Sequence, residues 1–245
     1  MRLLNKKAII TGASRGLGRA LALRFAQEGA AVAICSRNQS AIDAVKDELL
    51  ALDGDVQVLA RECDIANPKQ VSEFVEAIVE HFGRIDILVN NAGMLGPRVP
   101  IAEYPPREWE LVVQTNLNGT FYMTNAVVPV MLKQQAGAIL NVTSSVGKTG
   151  RAKWGAYAVS KFAIEGLTQV LAEELKPHNI TVNSVNPGSL ATEMRRQAYP
   201  NENPALLRKP EEVTEVFVYH ASYHGTGITG QWFDAANFYS PKEIT

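Results

Sequence analysis

The sequence carries almost no net charge. Its 24 Lys and Arg residues stand against 25 Asp and Glu residues, which leaves a formal charge of −1 at pH 7. A chain without a basic excess has no long-range attraction for nucleic acid or for an anionic membrane surface. It also lacks any apolar run approaching the roughly 18 residues that a membrane-spanning helix needs. We therefore expect neither nucleic acid nor membrane among its partners.

Cysteine and histidine are scarce as well. The two cysteines, Cys35 and Cys63, each lie at the end of a predicted strand, and they suit buried positions in a reducing compartment better than a disulfide. The four histidines share no ligand spacing, so no metal site is expected; they are His81, His178, His220 and His224. The first predicted strand begins within a few residues of the N-terminus, which leaves no room for a signal peptide. These absences predict a soluble protein of the cytoplasm.

Short apolar runs alternate with amphipathic stretches along the whole chain. The runs predict strands at Lys6–Ile10, Ala30–Cys35, Val56–Arg61, Ile85–Val89, Ala138–Val142, Ile180–Val185 and Gly227–Phe233. The stretches between them predict helices at Arg19–Glu28, Gln39–Leu52, Pro68–Phe82, Pro106–Leu132 (with a kink at Pro129), Trp154–Leu175 and Pro210–Ala221. This alternation is typical of an α/β protein with a doubly wound parallel sheet of the Rossmann type, here about seven strands with helices on both faces. We expect residues 1–245 to form a single domain, in which Gly188–Lys209 is the least regular part.

A Gly-rich turn follows the first predicted strand. It reads Thr11-Gly12-Ala13-Ser14-Arg15-Gly16-Leu17-Gly18, with the spacing T-G-x-x-x-G-x-G, and a predicted helix comes directly after it. Glycines let the backbone approach a pyrophosphate closely, and the helix N-terminus offers free N–H groups and a favourable dipole. Gly clusters usually mark ordinary turns, but the strand and helix on either side favour phosphate binding.

A tyrosine and a lysine lie four residues apart in the helix predicted at Trp154–Leu175. Tyr157 and Lys161 therefore share one helix face, about one turn apart. A phenol is a poor acid or base at neutral pH because its ordinary pKa is about 10, and a neighbouring ammonium lowers that pKa. Such a pair suits proton exchange with an alcohol or a ketone. Taken alone, the pair favours two solvated surface residues; motifs elsewhere in the chain reverse that interpretation.

Further motifs follow the later predicted strands. They are Asn90-Asn91-Ala92-Gly93 after the fourth strand, Asn116 in the next helix, Ser144 thirteen residues before Tyr157, and Pro187-Gly188 with Thr192 after the sixth strand. Each alone fits an ordinary turn, loop or exposed position. In this order and spacing, together with the Gly-rich turn and the Tyr-x-x-x-Lys pair, they resemble the short-chain dehydrogenase/reductase family in its short single-domain branch. Within it, the chain is similar to 3-oxoacyl-ACP-reductase-like and little-characterised bacterial oxidoreductases, and the likeness runs from Thr11 to about Ala235.

The resemblance implies an oxidoreductase that acts on CH–OH and C=O groups through four catalytic residues. Tyr157 would donate a proton to a carbonyl oxygen as hydride arrives, or accept one in the reverse direction. Ser144 would hydrogen-bond that oxygen and orient it. Lys161 would lower the pKa of Tyr157 and bind the nicotinamide ribose, and Asn116 would hold a water that links Lys161 to solvent.

The resemblance also distributes the cofactor among named residues. The nicotinamide would lie against Pro187, Gly188, Leu190 and Thr192, the adenosine ribose against Asn91, Ala92 and Gly93, and the adenine against Asp64 and Ile65. The other expected cofactor contacts come from the Gly-rich turn, the end of the second strand and the Tyr-Lys pair, namely Gly12, Ser14, Arg15, Gly16, Leu17, Gly18, Ser36, Arg37, Tyr157 and Lys161.

The end of the second strand bears on which nicotinamide is used. An acidic residue there would bind the adenosine ribose hydroxyls and repel a 2′-phosphate. This chain has Ser36 and Arg37 instead, with Arg15 inside the Gly-rich turn. Two guanidinium groups near one ribose suit a phosphate dianion, so NADP(H) is predicted over NAD(H). The alternative is that both arginines are solvated.

The substrate pocket is expected from the segments beside the catalytic residues, including a substrate-loop region at residues 189–209. Its candidates are mostly apolar and favour an apolar ketone or aldehyde; they are Met94, Leu95, Val146, Trp154, Met194 and Tyr199. The nearby Arg98, Arg151, Arg195 and Arg196 are expected to be solvated. Two features depart from the family pattern: the loop after Thr192 is short, and Asp234-Ala235-Ala236 stands where Asp-Gly-Gly is common.

These features favour an NADPH-dependent carbonyl reductase over two rivals. One rival is an NAD-linked alcohol or hydroxysteroid dehydrogenase that works in the oxidative direction. The other is a non-catalytic dinucleotide-binding regulator, which has no need of Ser144, Tyr157, Lys161 and Asn116 together. The resemblance further implies a homodimer or homotetramer built on the helices that begin near Trp109 and Trp154.

Overall fold

Seven parallel strands form one sheet in the part of the chain that the computed structural model describes, residues 1–52 and 54–238 without the side chain of His224. The strands are β1 Lys7–Thr11, β2 Ala31–Ser36, β3 Val58–Glu62, β4 Ile87–Asn90, β5 Gly137–Val142, β6 Ile180–Asn186 and β7 Trp232–Asp234. Their order across the sheet is β3-β2-β1-β4-β5-β6-β7. From β1 to β3 the chain adds strands on one side of β1, and from β4 to β7 it adds them on the other side. The point between β1 and β4 where this order reverses opens a crevice at the carboxyl ends of the strands. The doubly wound Rossmann-type fold is confirmed.

Helices cover both faces of this sheet. They are α1 Gly16–Gln27, α2 Gln39–Leu50, α3 Pro68–Phe82, α4 Pro106–Val113, α5 Gly119–Gln134, α6 Gly155–Leu175, α7 Glu193–Ala198 and α8 Glu215–Ala221. Among the described residues, no helix combines the length and the apolar character needed to cross a membrane. The same residues contain no group of three or more potential metal ligands.

Helix α3 illustrates how local sequence sets an element. Asn67 caps its start by accepting hydrogen bonds from the N–H groups of Lys69 and Gln70, at 3.1 and 3.3 Å. Pro68 occupies the first turn, where a missing N–H costs nothing. Gly83 ends the helix with a φ of +76°, a conformation that favours glycine. The predicted bounds Pro68–Phe82 agree with the structure because every one of these signals is local.

Alternate residues of each strand supply two separate cores. Ile10 packs on the face covered by α1, α2 and α8, with Phe25 and Phe217. Its neighbour Ile9 points to the other face and packs with residues of α3, α5 and α6, including Phe74. Both isoleucines are fully buried, as expected for a parallel sheet that is covered on both sides. Strands anchored on two faces hold their carboxyl ends, and the loops that follow, in fixed positions.

The structure departs from the predicted secondary structure in three places. The long helical region predicted at Pro106–Leu132 is present, but a wider π-type turn at Gln114–Asn118 lies between α4 and α5; Pro129 lies inside α5, and a kink there stays a prediction. The region Gly188–Lys209 contains helix α7, which Thr192 caps by accepting from the N–H of Arg195 at 3.3 Å. Six residues are too few to show a helical period in the sequence. The last strand is only Trp232–Asp234, because β6 offers register partners to those three residues alone.

Other bounds moved by a few residues. Helix α1 begins at Gly16, inside the Gly-rich turn, and the helix predicted at Pro210–Ala221 divides into a short 3₁₀ turn at Pro210–Val213 and α8. Cys35 and Cys63 are both free and buried, which confirms the buried positions expected for them.

Candidate active site

A cleft of about 1070 Å³ opens at the carboxyl ends of the strands. It brings together nearly all of the predicted site residues, from every part of the chain. Those that line it are Gly12, Ser14, Arg15, Gly16, Leu17, Ser36, Arg37, Asp64, Ile65, Asn91, Ala92, Gly93, Ser144, Tyr157, Lys161, Pro187, Gly188, Leu190 and Thr192. Gly18 and Asn116 do not line the cleft; each lies behind its wall and packs against residues that do.

The Gly-rich turn is held against the segment that follows β4. Gly12 has a φ of +65°, and a Cβ there would lie 2.8 Å from the Cα of Ala92. A Cβ on Gly18 would lie 2.5 Å from Asn91 Nδ2. That amide donates to the carbonyl oxygens of Thr11 and Gly12, at 2.9 and 3.2 Å. The turn is therefore fixed in place, and the N-terminus of α1 faces the cleft as in sites that bind phosphate.

Two arginines lie at this end of the cleft without a partner. Arg15 and Arg37 are exposed and line the cleft, and among the described residues neither side chain makes a hydrogen bond or an ion pair. The neighbouring Arg19, by contrast, is bonded to Glu48, with an Nε–Oε1 distance of 3.0 Å. The nearest acidic influence is Glu193: its contact with Arg196 lowers the pKa of its carboxyl, and the charge of Arg15 adds a smaller effect in the same direction. Two unpaired guanidinium groups on one wall fit a ligand that carries a phosphate there.

Tyr157 occupies the opposite end of the cleft, in the first turn of α6. It is 8 % exposed, and burial raises its pKa to about 12, while a hydrogen bond with Ser144 acts in the opposite direction. Ser144 itself caps the short turn after β5 by accepting from the N–H of Val146 at 3.4 Å. The expected lowering of the Tyr157 pKa is not found in this structure, because the loss of solvation by a phenolate outweighs the effect of Ser144.

Lys161 lies one turn further along α6 and is 5 % exposed. Its Nζ donates to the carbonyl oxygen of Val142 at 2.8 Å and lies 5.6 Å from the centroid of the Tyr157 ring. Burial lowers the pKa of this ammonium to about 8, and the charge of Glu165 works against that shift. The tertiary structure thus brings the phenol, the hydroxyl and the ammonium to one end of the cleft.

Asn116 joins the neighbouring segments behind this group. It lies in the π-type turn between α4 and α5 and is 1 % exposed. Its Nδ2 donates to the carbonyl oxygen of Met94 at 2.9 Å and to Ser160 Oγ at 3.1 Å, while its Oδ1 accepts from the N–H of Met94 at 2.8 Å. The side chain therefore fixes the segment after β4 to α6. Its expected role in holding a water stays a prediction.

The far wall beside Tyr157 is apolar. Leu95, Val146 and Ala198 cluster with Tyr157, and the partly buried Trp154, Met194 and Tyr199 pack against them. The centroid of the Trp154 ring lies 5.7 Å from that of Tyr157 and 6.2 Å from that of Tyr199. Five of the six apolar candidates from the sequence line the cleft, and Tyr199 stands behind Trp154. Met94 is the one that packs outside this cluster, against Tyr104 and Val112.

The arginines near this wall are not all solvated, contrary to expectation. The guanidinium of Arg98 lies 4.8 Å from the centroid of the Trp154 ring and 4.5 Å from that of Tyr199, and it donates to the carbonyl oxygen of Ala198. Arg195 pairs with Glu202 through two hydrogen bonds of 2.6 Å. The contacts of Arg98 join segments that are far apart in the sequence, so local pattern does not reveal them.

Comparison with known proteins gives the same assignment as the geometry. The family described as short chain dehydrogenase matches residues 6–203, which span the Gly-rich turn, the catalytic candidates and helix α7. The chain belongs to the short-chain dehydrogenase family. It is accordingly an oxidoreductase in class.

Individual short-chain dehydrogenases match over nearly their full length. The uncharacterized oxidoreductase YciK of Escherichia coli K12 is 37 % identical over 235 residues, which cover 95 % of this chain and 93 % of that protein. The 3-oxoacyl-[acyl-carrier-protein] reductase FabG of Thermotoga maritima is 38 % identical over 239 residues, covering 94 % and 96 %. A solved short chain dehydrogenase of Shigella flexneri, complexed with NADP, superposes with a TM-score of 0.91 at 37 % identity and covers 96 % of this chain and 99 % of the other.

Sequence reasoning missed some residues that shape this short-chain dehydrogenase site. Thr11 is one: its Oγ1 accepts from the N–H groups of Asn91 and Ala92, both at 3.0 Å, so it joins β1 to the segment after β4. Its place immediately before Gly12 was the available signal. Arg98 is another, and its sequence neighbourhood offers no signal because its partners lie in distant segments.

Proposed function

We propose that this short-chain dehydrogenase is an NADPH-dependent reductase of ketones or aldehydes. The observation that carries the proposal is the arrangement of one cleft. Ser144, Tyr157 and Lys161 meet at one end, and the unpaired Arg15 and Arg37 line the other. The first group suits a carbonyl oxygen, and the second suits the 2′-phosphate that distinguishes NADP(H) from NAD(H).

The residues at the phosphate end fit the dinucleotide. Gly12 and Gly18 have no room for a Cβ, so the backbone of the turn comes close to whatever binds over the N-terminus of α1. Arg15 and Arg37 would hold the 2′-phosphate, while Asp64, Ile65 and residues 91–93 would contact the adenosine. At the other end, Pro187, Gly188, Leu190 and Thr192 would contact the nicotinamide, which supplies the hydride when bound.

Tyr157 acts as the proton donor in this mechanism. A phenol whose pKa is about 12 keeps its proton at neutral pH, which suits donation to a carbonyl oxygen that is gaining negative charge. The hydroxyl of Ser144 counteracts the rise in the pKa of Tyr157, and it would orient the same oxygen. Lys161, held by the Val142 carbonyl, places a positive charge beside the phenol and stabilises the phenolate that donation leaves behind. Asn116 would support proton resupply to Lys161.

The preference for NADP(H) has support both from this chain and from a relative of known structure. In this chain, the end of β2 offers Ser36 and Arg37 and no carboxylate. The Shigella flexneri relative was solved with NADP. An NAD-linked dehydrogenase that runs oxidatively would gain nothing from two arginines at this position, and a regulator without turnover would gain nothing from Ser144, Tyr157 and Lys161 together.

The substrate class follows from the apolar wall. The side chains that face the substrate are apolar: they are the aliphatic chains of Leu95 and Val146, the indole of Trp154 and the thioether of Met194. An apolar carbonyl compound therefore fits best. We propose that residues 189–209 form the substrate loop and that a single domain, residues 1–245, holds both ends of the cleft. Residues 239–245 lie outside the described part.

A homo-oligomer of the cytoplasm completes the proposal. Large apolar side chains are exposed on α4, α5 and α6, namely Leu111, Phe121, Val159, Phe162 and Val170. Such side chains are typical of a surface that pairs with a second copy. Light scattering on a sizing column measures the mass directly, and a monomer over the whole concentration range would contradict this part.

Binding and turnover of the purified protein test the function. Fluorescence titration with NADPH and with NADH gives the two affinities, and a panel of apolar ketones and aldehydes, followed by NADPH absorbance, gives turnover. We expect tighter NADPH binding and oxidation of NADPH with at least one carbonyl. Tight binding without turnover across a broad panel would favour the regulator, and tighter NADH binding would favour the oxidative dehydrogenase.

A further inference from the structure

Helix α6 carries a buried carboxylate one turn beyond Lys161. Glu165 is 6 % exposed. Its Oε2 accepts a hydrogen bond from Ser184 Oγ at 2.9 Å and lies 3.3 Å from Lys148 Nζ. Its Oε1 is buried and has no hydrogen-bond partner among the described residues. Burying a carboxylate is costly even when it is paired, and an apolar side chain would fill the same space more favourably, so the charge calls for another explanation.

The carboxylate joins the segment that carries Ser144 to the helix that carries Tyr157. Lys148 comes directly after the turn Ser145–Gly147, and that turn packs closely on α6, since a Cβ on Gly147 would lie 3.0 Å from the carbonyl carbon of Lys161. The catalytic group, Ser144, Tyr157 and Lys161, therefore has two parts: the segment that carries Ser144, and helix α6, which carries Tyr157 and Lys161. The ion pair between Lys148 and Glu165 joins these two parts. A shift of either part would change the distance between Ser144 and Tyr157.

The same carboxylate also reaches the sheet. Ser184 lies on β6 opposite Trp232 on β7, and Lys148 Nζ lies 5.8 Å from the centroid of the Trp232 ring. Glu165 is thus hydrogen-bonded to the sheet and ion-paired to the segment after β5. These two contacts hold the carboxylate at a fixed place relative to Lys161, so its charge acts on Lys161 at a constant distance.

Lys161 has little else to balance its charge. Its Nζ donates to a neutral carbonyl, that of Val142, and the neutral amide of Asn116 faces it from the π-type turn, since both lie near the Cβ position of Gly93. On its own helix, its Nζ lies 5.6 Å from the centroid of the Tyr157 ring, and Glu165 follows one turn later. Lys148, from the segment after β5, is the charged group that faces Glu165. Among the groups that influence Lys161, Glu165 is the acidic one.

We propose that Glu165 is a positioning residue for the catalytic group, whose buried carboxylate ties the Ser144 segment to α6 through Lys148 and keeps Lys161 positively charged. The role in turnover rests on the proposed carbonyl reduction. The tie and the charge effect belong to the protein itself and are measurable without cofactor or substrate.

The charge effect predicts the direction of a titration. Glu165→Gln removes the negative charge and keeps the shape and a hydrogen-bonding oxygen for Ser184. The pKa of Lys161 is already lowered by burial and should fall further, by about one unit for a neighbour one helical turn away. In protein labelled with ¹³C-lysine and free of cofactor, the Lys161 Cε signal, assigned by its loss in Lys161→Arg, reports this pKa directly. The matched control is Glu173→Gln, an exposed glutamate on the same helix, which should leave the titration in place.

Turnover should change in the same direction. Reduction falls as pH rises through the Lys161 pKa, because the phenolate left on Tyr157 loses its stabilising charge. In Glu165→Gln this alkaline loss of kcat should therefore move to lower pH by about one unit, with KM nearly unchanged. A purely structural role for Glu165 would lower activity equally at every pH and leave the profile where it was.

A second variant keeps the test informative if Glu165→Gln fails to fold. Lys148→Met removes a positive charge from the same cluster, at a partly exposed position, so the Lys161 pKa should rise slightly while kcat falls several-fold as the Ser144 segment loosens. Lys148→Arg should restore kcat. Equal Lys161 titrations in wild type, Glu165→Gln and Glu173→Gln, or a lowered Lys161 pKa in Lys148→Met, would overturn the proposal. Shifted titrations without turnover of any carbonyl would instead reject the reductase and leave the charge effect standing.

Discussion

The two ends of the cleft are built on opposite principles. At the catalytic end, Tyr157, Lys161 and Asn116 are less than one-tenth exposed, and the side chains of Lys161 and Asn116 are hydrogen-bonded to other segments of the protein. At the phosphate end, Arg15 and Arg37 are exposed, and the described residues offer their side chains neither a hydrogen bond nor an ion pair. One end is completed by the fold, and the other is left for a ligand to complete.

This difference explains what each end can contribute. Buried groups are poorly solvated, so the pKa values of Tyr157 and Lys161 move far from their ordinary values, to about 12 and about 8. In the proposed mechanism such groups exchange the proton, and their pKa values depend on the packing around them. Exposed guanidinium groups contribute binding and selectivity, since a phosphate satisfies donors that otherwise meet water. Substitutions at the two ends should therefore change different measurements.

The largest effect is expected at the catalytic end. Tyr157→Phe removes the proton donor and keeps the ring against Trp154, so kcat should fall by about 10²- to 10⁴-fold. NADPH affinity, measured by fluorescence titration, should change little, because the phosphate end is untouched. Undiminished turnover in this variant would show that another residue donates the proton, and the contrast between the two ends of the cleft would not hold.

Cofactor selectivity should change at the phosphate end. Arg37→Asp replaces a hydrogen-bond donor by a carboxylate, whose negative charge repels the 2′-phosphate. NADPH affinity should therefore fall roughly 100-fold relative to NADH affinity. Arg107→Asp, at an exposed position on α4 away from the cleft, is the matched control and should preserve the ratio of the two dissociation constants. Equal weakening of both cofactors by Arg37→Asp would show that this arginine does not read the 2′-phosphate.

The close packing of the Gly-rich turn gives a stability prediction. In Gly18→Ala the new methyl would meet the Gly12 carbonyl and Asn91 Nδ2, so we expect a loss of about 2 kcal/mol in unfolding free energy together with weaker NADPH binding. Gly150→Ala is the control, since nothing lies within 4 Å of its Cβ position. Denaturant melts of the two variants compare them directly, and similar midpoints would show that the turn yields easily.

His220 shows whether a displaced pKa by itself marks a functional site. It lies away from the cleft, 2 % exposed and stacked on Phe233 at 3.9 Å between centroids, and burial lowers its pKa to about 4. The folded form binds the proton less tightly than the unfolded form, so stability should be complete above about pH 6.5 and decline as pH falls toward 4.

Replacement of His220 should remove part of this acid sensitivity. When the pH falls from 7 to 5, the unfolding free energy of the wild type should decrease by about 1–2 kcal/mol more than that of His220→Leu. The kcat of the variant should be unchanged. His81→Leu, at an exposed position on α3, should behave as the wild type. A change in kcat in His220→Leu would blur the distinction between buried groups that act in the cleft and buried groups that only support the fold.

Much of the fold is predictable because its signals are local. The strands show as apolar runs, and α3 is bracketed by Asn67, Pro68 and Gly83, whose effects reach only a few residues. Helix α7 escaped prediction because its six residues are too few to show a helical period, although the Thr192 cap and the pairing of Arg195 with Glu202 hold it in place. The turn at Gln114–Asn118 likewise leaves no mark in a continuous helical pattern.

The candidate site divides in the same way. Family motifs predicted the lining of the cleft, because each follows a strand whose carboxyl end faces it. They did not predict that Asn116 would lie behind the wall, bonded to Met94 and Ser160. Nor did they predict the stacking of Arg98 on Trp154 and Tyr199, since the partners come from separate segments.

The sequence by itself determined the family, the order of strands and helices, and which residue types stand at the end of each strand, since all of these depend on spacing along the chain. The tertiary structure decided the rest. It set the pKa of Tyr157 above its ordinary value where the Tyr-x-x-x-Lys spacing suggested a lower one, and it placed Glu165 among Lys148, Ser184 and Lys161. Burial and charge separation depend on segments brought together from far apart, and no local pattern contains that information.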